Sequence, residues 1–585
     1  MNDIRRTILW VIFGFALVLL WDKWQIHNGK QATFFPSPPP AVATQAQPDA
    51  TAAAAAQATP APGQPGAVQP PTGGAVPASR QLVDVQTDVY KAAINSEGGT
   101  LARLELRQYT EELNATGLVP LARRLLGMEP LPVIDRDVLL MDDTAPSTRY
   151  LAQSGLLNPA GGERFPTHLT LMAAKPGPYQ LADGQDTLEV PFESEPVGGL
   201  KYIKTYVFKR GSYVIGVRHQ VVNVGSAAQT PQLYLQLERH GTEPKGSMLG
   251  TSTFTGPAVY TDEKKFHKVN FADIDKGKAE LPQPADNGWI AMVQHYFASA
   301  WLLPADNRMR REFRSAKLGE HLFAISMVLH LPAVAPGATQ TLDTQLFAGP
   351  EEEKKLEVLA PGLELVKDYG IFAIISKPLY WLLNQLHALL GNWGWSIVAL
   401  VLLLKVAFYW LNAKAYASMA KMKAISPRIT EMRERLKDKP QQMQQEMMRI
   451  YREEKVNPMG GCFPIVIQIP VFIALYWVLL SSIEIRHAPW IGWIHDLSAP
   501  DPWFILPFLM MLSSLLQTAL NPAPPDPMQA KMMWLMPLMF SVMFFFFPAG
   551  LVLYWLTNNL LSIAQQWIIN TRMGVPPQFN LPKLR

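Results

Sequence analysis

A lysine interrupts a long apolar stretch of this sequence. Lys405 lies within GWSIVALVLLLKVAFYW, which runs from Gly394 to Trp410. A lysine near the centre of a lipid bilayer costs about 2.5–3.5 kcal/mol on insertion scales. The side chain must therefore reach the cytoplasmic headgroups, which is the snorkelling interpretation, or be hydrated inside the protein. A hydrated, fixed cation at this depth would attract an acidic residue of another polypeptide.

Polar side chains also recur in the neighbouring apolar stretches. Along the last stretch, Tyr554, Asn558, Ser562 and Gln565 are spaced by four, four and three residues, so they share one face of a helix. Polar stripes on several membrane helices indicate a shared wet groove, and hydrogen bonding between packed helices is the alternative. The groove residues predicted from spacing are Lys405, Tyr409, Gln468, Gln517, Tyr554, Asn558, Ser562 and Gln565.

Patterns for catalysis or metal binding are missing from the segment 81 to about 349. There is no His/Cys cluster at metal-ligand spacing, no Gly-rich phosphate loop and no nucleophile elbow. We therefore predict no enzyme activity, no cofactor and no metal site. No apolar stretch has an acidic residue near its centre, and Glu484 lies at an outer end. Because ion-coupled transport usually needs such groups, a solute transporter ranks third among the interpretations.

Composition indicates a membrane protein of several units. The 585 residues are 48% hydrophobic and 17% charged, with a net charge of +4, and the single cysteine excludes an intramolecular disulfide. Residues 1–24 carry Arg5 and Arg6 before an apolar run and lack a small-residue cleavage site. This favours an uncleaved transmembrane anchor over a signal peptide. Residues 25–80 are rich in Pro and Ala, which is typical of a linker.

Residues 81–350 have the pattern of a large antiparallel β-sandwich. Short runs of β-branched and aromatic residues alternate between two faces and are separated by Gly, Pro and Asn. In SYVIGVRHQVVNV, alternation places five residues on one face: Tyr213, Ile215, Val217, His219 and Val221. With the anchor oriented by Arg5 and Arg6, this domain is predicted to be periplasmic.

Residues 360–392 are predicted to form an amphipathic helix on the membrane surface. Its predicted apolar face comprises Leu363, Val366, Ile371, Ile374 and Ile375, and its polar face comprises Glu364, Lys367 and Asp368. Packing of this helix against the β domain is the alternative.

The remaining chain is predicted to form a five-helix core, 393–572, and a short cytoplasmic tail, 573–585. The predicted spans are 393–412, 463–484, 502–520, 532–548 and 550–570. With the anchor, these make six transmembrane helices and place both termini in the cytoplasm.

A helical hairpin, 413–457, is predicted between the first two core spans. Ser426 and Pro427 are interpreted as the cap and first residue of its first helix. Many cations in the hairpin, against only Arg486 in the loop 485–500, predict a cytoplasmic location. Ribosomal RNA is one candidate contact, and attraction to anionic lipid is the alternative. The predicted contact residues are Arg428, Arg433, Arg435, Lys437 and Lys439.

Several motifs resemble the YidC/Oxa/Alb family of membrane protein insertases. They are EKVNPMGGCFPIVIQIPVFIALY, IRHAPW, WIHDLSAPDPWFILP, DPMQAKMM and FPAGLVLYW. The resemblance is dense over 363–572, and the anchor, linker and β domain resemble the Gram-negative form. It implies a groove that opens to cytoplasm and lipid, is closed towards the periplasm and works without nucleotide hydrolysis. Many members carry an arginine at the position of Lys405, and Trp555 falls where many carry a second aromatic residue.

The resemblance implies an insertase and chaperone of the bacterial inner membrane. The implied partners are nascent membrane proteins, the Sec translocon with its accessory subunits, the ribosome and membrane lipids. A different class remains open: a binding or sensory protein whose β domain recognises a periplasmic ligand while the spans anchor it. Five further spans with aligned polar faces exceed what an anchor needs.

Overall fold

The computed structural model describes residues 81–113, 117–129, 134–161, 164–175, 177–241, 253–436, 439–454, 463–521 and 527–572, with residues 574 and 579. The predicted anchor and linker lie outside these residues, as do Lys437 and most of the predicted tail.

Within the described residues, the first domain is a sandwich of two nine-stranded sheets. Its strands are β1 Leu82–Gln86, β2 Tyr90–Asn95, β3 Thr100–Leu113, β4 Ile134–Met141, β5 Tyr150–Leu157, β6 Met172–Ala174, β7 Tyr179–Gln180, β8 Thr187–Ser194, β9 Leu200–Lys209, β10 Val214–Asn223, β11 Gln232–His240, β12 Gly256–Thr261, β13 Lys265–Lys268, β14 Trp289–Gln294, β15 Phe297–Leu302, β16 Arg311–Gly319, β17 Leu322–His330 and β18 Thr339–Pro350. One sheet has the order β16-β17-β11-β5-β3-β2-β1-β7, with β4 paired to β3. The other has the order β13-β12-β14-β15-β18-β10-β9-β8-β6.

The predicted antiparallel sandwich is confirmed, apart from one parallel pair between β1 and β7 among the described strands. Strand β10 shows why the pattern was informative. Its side chains alternate in burial, and all five residues predicted to share a face, from Tyr213 to Val221, are buried. Apolar residues on alternate positions fill the space between the sheets, where their removal from water stabilises the domain.

A polar network lies inside this core. Lys204 is completely buried, and its Nζ donates to the carbonyl oxygens of Gly98, Gly99 and Ser154 at 2.6, 3.2 and 3.3 Å. His219 lies between the hydroxyl groups of Tyr202 and Thr344, at 2.6 and 2.9 Å. Burial lowers the pKa of Lys204 to about 7, because the charged form is deprived of water.

The described residues also form α-helices, most of them after the sandwich. Their bounds are α1 Leu118–Leu125, α2 Phe271–Asp275, α3 Glu353–Leu359, α4 Ala373–Leu390, α5 Trp393–Ala407, α6 Tyr409–Arg435, α7 Pro440–Glu453, α8 Phe463–Ser481, α9 Ile505–Leu520, α10 Pro527–Met543 and α11 Ala549–Arg572. Short 3₁₀ turns lie at Leu363–Val366, Gly370–Phe372, Ile483–Ile485 and Phe544–Phe546. Helices α4, α5, α8, α9 and α11 pack around a shared apolar core.

By length and hydropathy, none of the described helices is sufficient alone to span a membrane. Helices α5 and α6 pass this criterion as a pair over Trp393–Ala407 and Tyr409–Met422, with a bend of 66° between them. The predicted span 393–412 is therefore broken at Phe408. Neither proline nor glycine occupies the break, so the usual sequence signs of a kink are missing.

The predicted helix start at Ser426 and Pro427 is wrong, because both residues lie inside α6. An apolar stripe continues through the proline: Ile425, Ile429 and Met432 are buried together against Ile450 of α7. This packing holds the helix continuous across Pro427 at the cost of one backbone hydrogen bond. Leu436, Met443 and Met447 pack against the same cluster, so the two helices of the hairpin contact each other through apolar side chains.

The single amphipathic helix predicted for 360–392 is also wrong at its start. Leu363 and Val366 are buried in a 3₁₀ turn beneath the sandwich, whereas Ile371 and Ile374 are 86% and 90% exposed. Gly370 separates the two segments with a φ of 66°, and a Cβ there would approach the Trp477 ring to 2.6 Å. Regular helix therefore begins only at Ala373, and α4 packs on α5 and α8.

Candidate functional site

Lys405 lies near the end of α5, directly before the bend. Its Nζ donates to Ser562 Oγ on α11 at 2.7 Å, and that hydroxyl donates to the carbonyl oxygen of Asn558 at 2.7 Å. The Nζ carries three hydrogens, of which Ser562 takes one. The lysine therefore points into the helical core rather than out along the α5 surface.

A second polar contact joins α8 to the same face of α11. Gln468 Nε2 donates to Asn558 Oδ1 at 2.6 Å, so Asn558 accepts through both its backbone and its side chain. On the neighbouring face, Asn559 Nδ2 donates to Ser514 Oγ at 2.9 Å and connects α11 with α9. These hydrogen bonds of side-chain amides hold α8, α9 and α11 around one polar space.

That space is a cavity of about 320 Å³, which is large enough to hold several water molecules. Its described lining is Lys405, Asn412, Ala415, Tyr416, Gln468, Ile469, Phe472, Gln517, Asn521, Tyr554, Trp555, Asn558, Asn559 and Ser562. None of these lining residues is acidic. Lys405 is therefore the fixed charge of the described cavity wall.

Aromatic rings pack at one side of the cavity. The centroid of the Trp555 ring lies 4.3 Å from that of Phe472, in an edge-on arrangement, and 5.4 Å from that of Phe544. Phe544 is the first residue of the 3₁₀ turn after α10. Beyond them, the start of α11 is bound to the loop 485–500, because Gly550 N donates to Leu497 O at 2.9 Å. Rings and loop together form a compact wall between the cavity and the β domain.

Seven of the nine predicted groove residues line this cavity: Lys405, Gln468, Gln517, Tyr554, Trp555, Asn558 and Ser562. Tyr409 and Gln565 do not. The Tyr409 side chain is exposed beyond the bend, and Gln565 is buried, with its amide nitrogen 3.5 Å from the Tyr409 carbonyl oxygen. The bend at Phe408 turns Tyr409 away from the face that carries Lys405.

Residues beyond the prediction also contribute to the cavity. Asn412 and Tyr416 lie four residues apart in α6, so they share one face of that helix, and both line the cavity. Asn412 is the last residue of the predicted span 393–412, and Tyr416 lies beyond its end. Sequence alone does not show whether Asn559 and Asn521 line a cavity or only form hydrogen bonds between packed helices.

Two of the predicted cationic contact residues, Arg428 and Arg435, lie within ion-pair distance of acidic residues of the hairpin itself. Arg428 on α6 forms ion pairs with Glu453 and Glu454 at the end of α7, at 3.2 and 2.9 Å. Arg435 lies 4.0 Å from Glu446. Arg435 and Lys439 are exposed and Arg433 is half-buried.

The β domain and the segment that follows it, 351–372, are attached to the loop end of the helical core by partly buried polar contacts. Lys367 Nζ lies 3.3 Å from Glu484 Oε2, and the Tyr380 hydroxyl donates to the other Glu484 oxygen at 2.6 Å. Arg486 donates to the carbonyl oxygen of Thr110 in β3 at 2.7 Å, and His295 Nε2 lies 2.8 Å from the carbonyl oxygen of Leu480. The residues between α8 and α9 thus form one side of this junction.

Comparison with known families identifies the two parts. The model described as 60Kd inner membrane protein matches residues 385–575, and that described as YidC periplasmic domain matches residues 132–382. The chain is thus an inner-membrane protein whose β-sandwich is its periplasmic domain.

Curated relatives give the family. A membrane protein insertase YidC from Ralstonia nicotianae is 52% identical over 98% of both chains, and one from Cupriavidus necator is equally similar. A crystal structure of an active YidC insertase with its first transmembrane domain resolved covers 83% of this chain and 92% of its own, at 18% identity and a TM-score of 0.36. The chain belongs to the YidC family of membrane protein insertases, which are not enzymes.

Proposed function

We propose that the cavity is the groove in which a nascent membrane protein passes part of its polar chain towards the periplasm. The observation that carries the proposal is Lys405, a cation whose described cavity wall contains no acidic side chain. An acidic residue that enters on a substrate would supply the counter-charge. The low dielectric of the surrounding helices strengthens that attraction relative to water.

The physical task is to lower a desolvation barrier. A polar group transferred from water to hydrocarbon without a hydrogen bond costs roughly 2–7 kcal/mol. Within the groove, Gln468, Gln517 and Asn558 offer amide groups, and the space holds water. Ile469 and Phe472 line the same space and would accept the apolar part of the substrate before it enters the lipid.

The topology proposed for this function follows the positive-inside rule. Six transmembrane helices place both termini and the hairpin 413–457 in the cytoplasm, with an anchor 1–24, a linker 25–80, the β domain 81–350, an interfacial helix that begins only at Ala373 within 360–392, a core 393–572 and a tail 573–585. The wall formed by Phe472, Phe544 and Trp555 supports closure of the groove towards the periplasm.

We also propose the partners that this arrangement suits. The exposed cations of the hairpin, with Arg435 and Lys439 among them, suit ribosomal RNA or anionic lipid. The Sec translocon with its accessory subunits is proposed as a further partner, and release of helices from the groove into lipid would give the protein a chaperone role.

A charge series at Lys405 tests the proposal. Lys405→Glu should impair insertion of a substrate with an acidic translocated segment, because the groove then repels it, whereas Lys405→Arg should retain insertion. A substrate with a neutral translocated segment is the matched control and should be affected less. Equal insertion of the acidic substrate by Lys405→Glu and the parent protein would exclude the electrostatic role. Insertion is measured by protease protection of the translocated segment in proteoliposomes.

A further inference from the structure

The β domain carries one short helix with an exposed apolar surface. Helix α1, between β3 and β4, has no buried residue. The exposed apolar residues on and beside it, here called the α1 face, are Leu118, Val119, Leu121, Leu125, Leu126 and Met128. Leu125 and Leu126 are 78% and 74% exposed. A cluster of this kind on a water-exposed domain marks an interaction surface.

The start of α1 is fixed to the helical core. Leu118 N donates to the carbonyl oxygen of Pro502 at 2.8 Å. Gly117 has a φ of 125°, and a Cβ at this position would come within 2.4 Å of the same oxygen, so the two backbones meet as closely as only glycine permits. Pro502 lies three residues before α9 begins. The first residue of α1 is therefore held next to the start of α9.

The exposed surface at the start of α9, next to this contact, is apolar. Trp503, Ile505 and Phe508 are all exposed. In an inner-membrane protein such side chains contact lipid, and tryptophan is enriched where lipid meets water. The α1 face therefore continues a lipid-contacting surface along the periplasmic boundary of the membrane.

Charge on α1 agrees with this location. Arg123 and Arg124 occupy its last turn, where they also suit the negative end of the helix dipole. The Arg123 guanidinium donates to the carbonyl oxygen of Glu129 at 2.8 Å, and Arg124 is exposed. Cations beside an apolar face are typical of helices that lie in the interface of membranes with anionic lipid.

We propose that α1 is a membrane-surface anchor of the periplasmic domain, with its α1 face in the periplasmic leaflet. The occupant of the face is lipid, since the face adjoins the exposed apolar surface of α9 and carries cations. This role is independent of what the cavity of the core does. It would hold the β domain at a fixed height above the entrance to the helical core.

A fluorescence experiment on the full chain tests the anchor. The sole cysteine, Cys462, is replaced by serine, and an environment-sensitive fluorophore is attached to Leu125→Cys before reconstitution into vesicles of phosphatidylethanolamine and phosphatidylglycerol. Val224→Cys is the control, because Val224 is also exposed, at 52% against 78% for Leu125, but follows the far end of β10. That strand pairs with β18, which leads to the core, and its ten residues separate Val224 by about 33 Å from the end of the strand nearer the core.

The anchor predicts blue-shifted emission at position 125 and strong quenching by lipids that carry a nitroxide near the headgroup. Quenching should be weaker with a nitroxide near the methyl end, because such helices sit about 5–10 Å into the boundary. Position 224 should show water-like emission and little quenching. Water-like emission at both positions would overturn the proposal. A blue shift at position 125 without nitroxide quenching would overturn it too, since protein and not lipid would then cover the face. Growth of that blue shift with the protein-to-lipid ratio would identify the covering protein as a second copy of the chain.

Discussion

The buried ion pair between Lys367 and Glu484 predicts that the two partners have unequal effects on stability. The Lys367 side chain is completely buried, while Glu484 remains 23% exposed. The informative perturbation is Glu484→Gln, which keeps the shape of the side chain and removes its charge. It leaves a buried ammonium group beside the Tyr380 ring, 4.0 Å from the ring centroid.

The expected magnitude follows from this asymmetry. Breaking a buried pair costs about 3–5 kcal/mol, and the partial exposure of Glu484 places the loss near the lower value, at about 3 kcal/mol. Burial raises the pKa of Glu351 well above its ordinary value, so this carboxyl, which also interacts with Lys367, is a poor substitute anion. Lys367→Met removes the buried charge itself and should cost only about 1 kcal/mol, because Glu484 keeps the Tyr380 hydroxyl and contact with solvent.

Thermal unfolding of the purified full chain in detergent measures these losses. Glu484→Gln should lower the melting temperature of the transition that unfolds this junction by about 6–10 °C, on the usual scaling for a large domain. The double variant Glu484→Gln, Lys367→Met should recover most of that loss, since no unpaired charge remains. Equal losses in both single variants with an additive double variant would refute the reasoning, because the two groups would then act independently.

Two further predictions concern the β domain and the start of α4. Because burial lowers the pKa of Lys204 to about 7, the unfolded chain binds a proton that the folded chain releases, and stability should increase as the pH rises above about 7. Lys204→Met should flatten that increase in melting temperatures recorded between about pH 7 and 9, and a slope equal to that of the parent would contradict the assignment. Gly370→Ala should destabilise the protein by at least about 1 kcal/mol more than Gly391→Ala. Both glycines have a φ near 67°, but only the Cβ at position 370 would meet the Trp477 ring; equal melting temperatures for the two variants would count against this contact.

The two-residue period of the sandwich and the polar face of α11 were predictable from sequence, because each depends on spacing within one element. The residues Tyr213 to Val221 of the β10 segment alternate without interruption, and the intervals between Tyr554, Asn558 and Ser562 match the turn of a single helix. A periodic pattern within one element can be recognised without knowing which distant residues pack against that element.

Features that depend on distant partners were not predictable in this way. From sequence, Lys367 is predicted to lie on a solvated polar face. In the structure it is buried beside Glu484, which is 117 positions away in the chain. Likewise, no residue type marks the bend at Phe408, and that bend decides that Lys405 faces the cavity while Tyr409 does not. Pro427 stays within α6 because of packing against α7, which a single-helix pattern does not contain.

The central claim, that the cavity receives the substrate, is tested most directly by photo-crosslinking from α9. A photoreactive amino acid replaces Gln517, which lines the cavity, or Leu516, its exposed apolar neighbour on the same helix. The insertase then engages a ribosome-bound nascent membrane protein that is stalled during insertion. The account predicts strong crosslinks from position 517 and weak ones from position 516. Equal crosslinking from the two positions, or crosslinking from 516 alone, would contradict it.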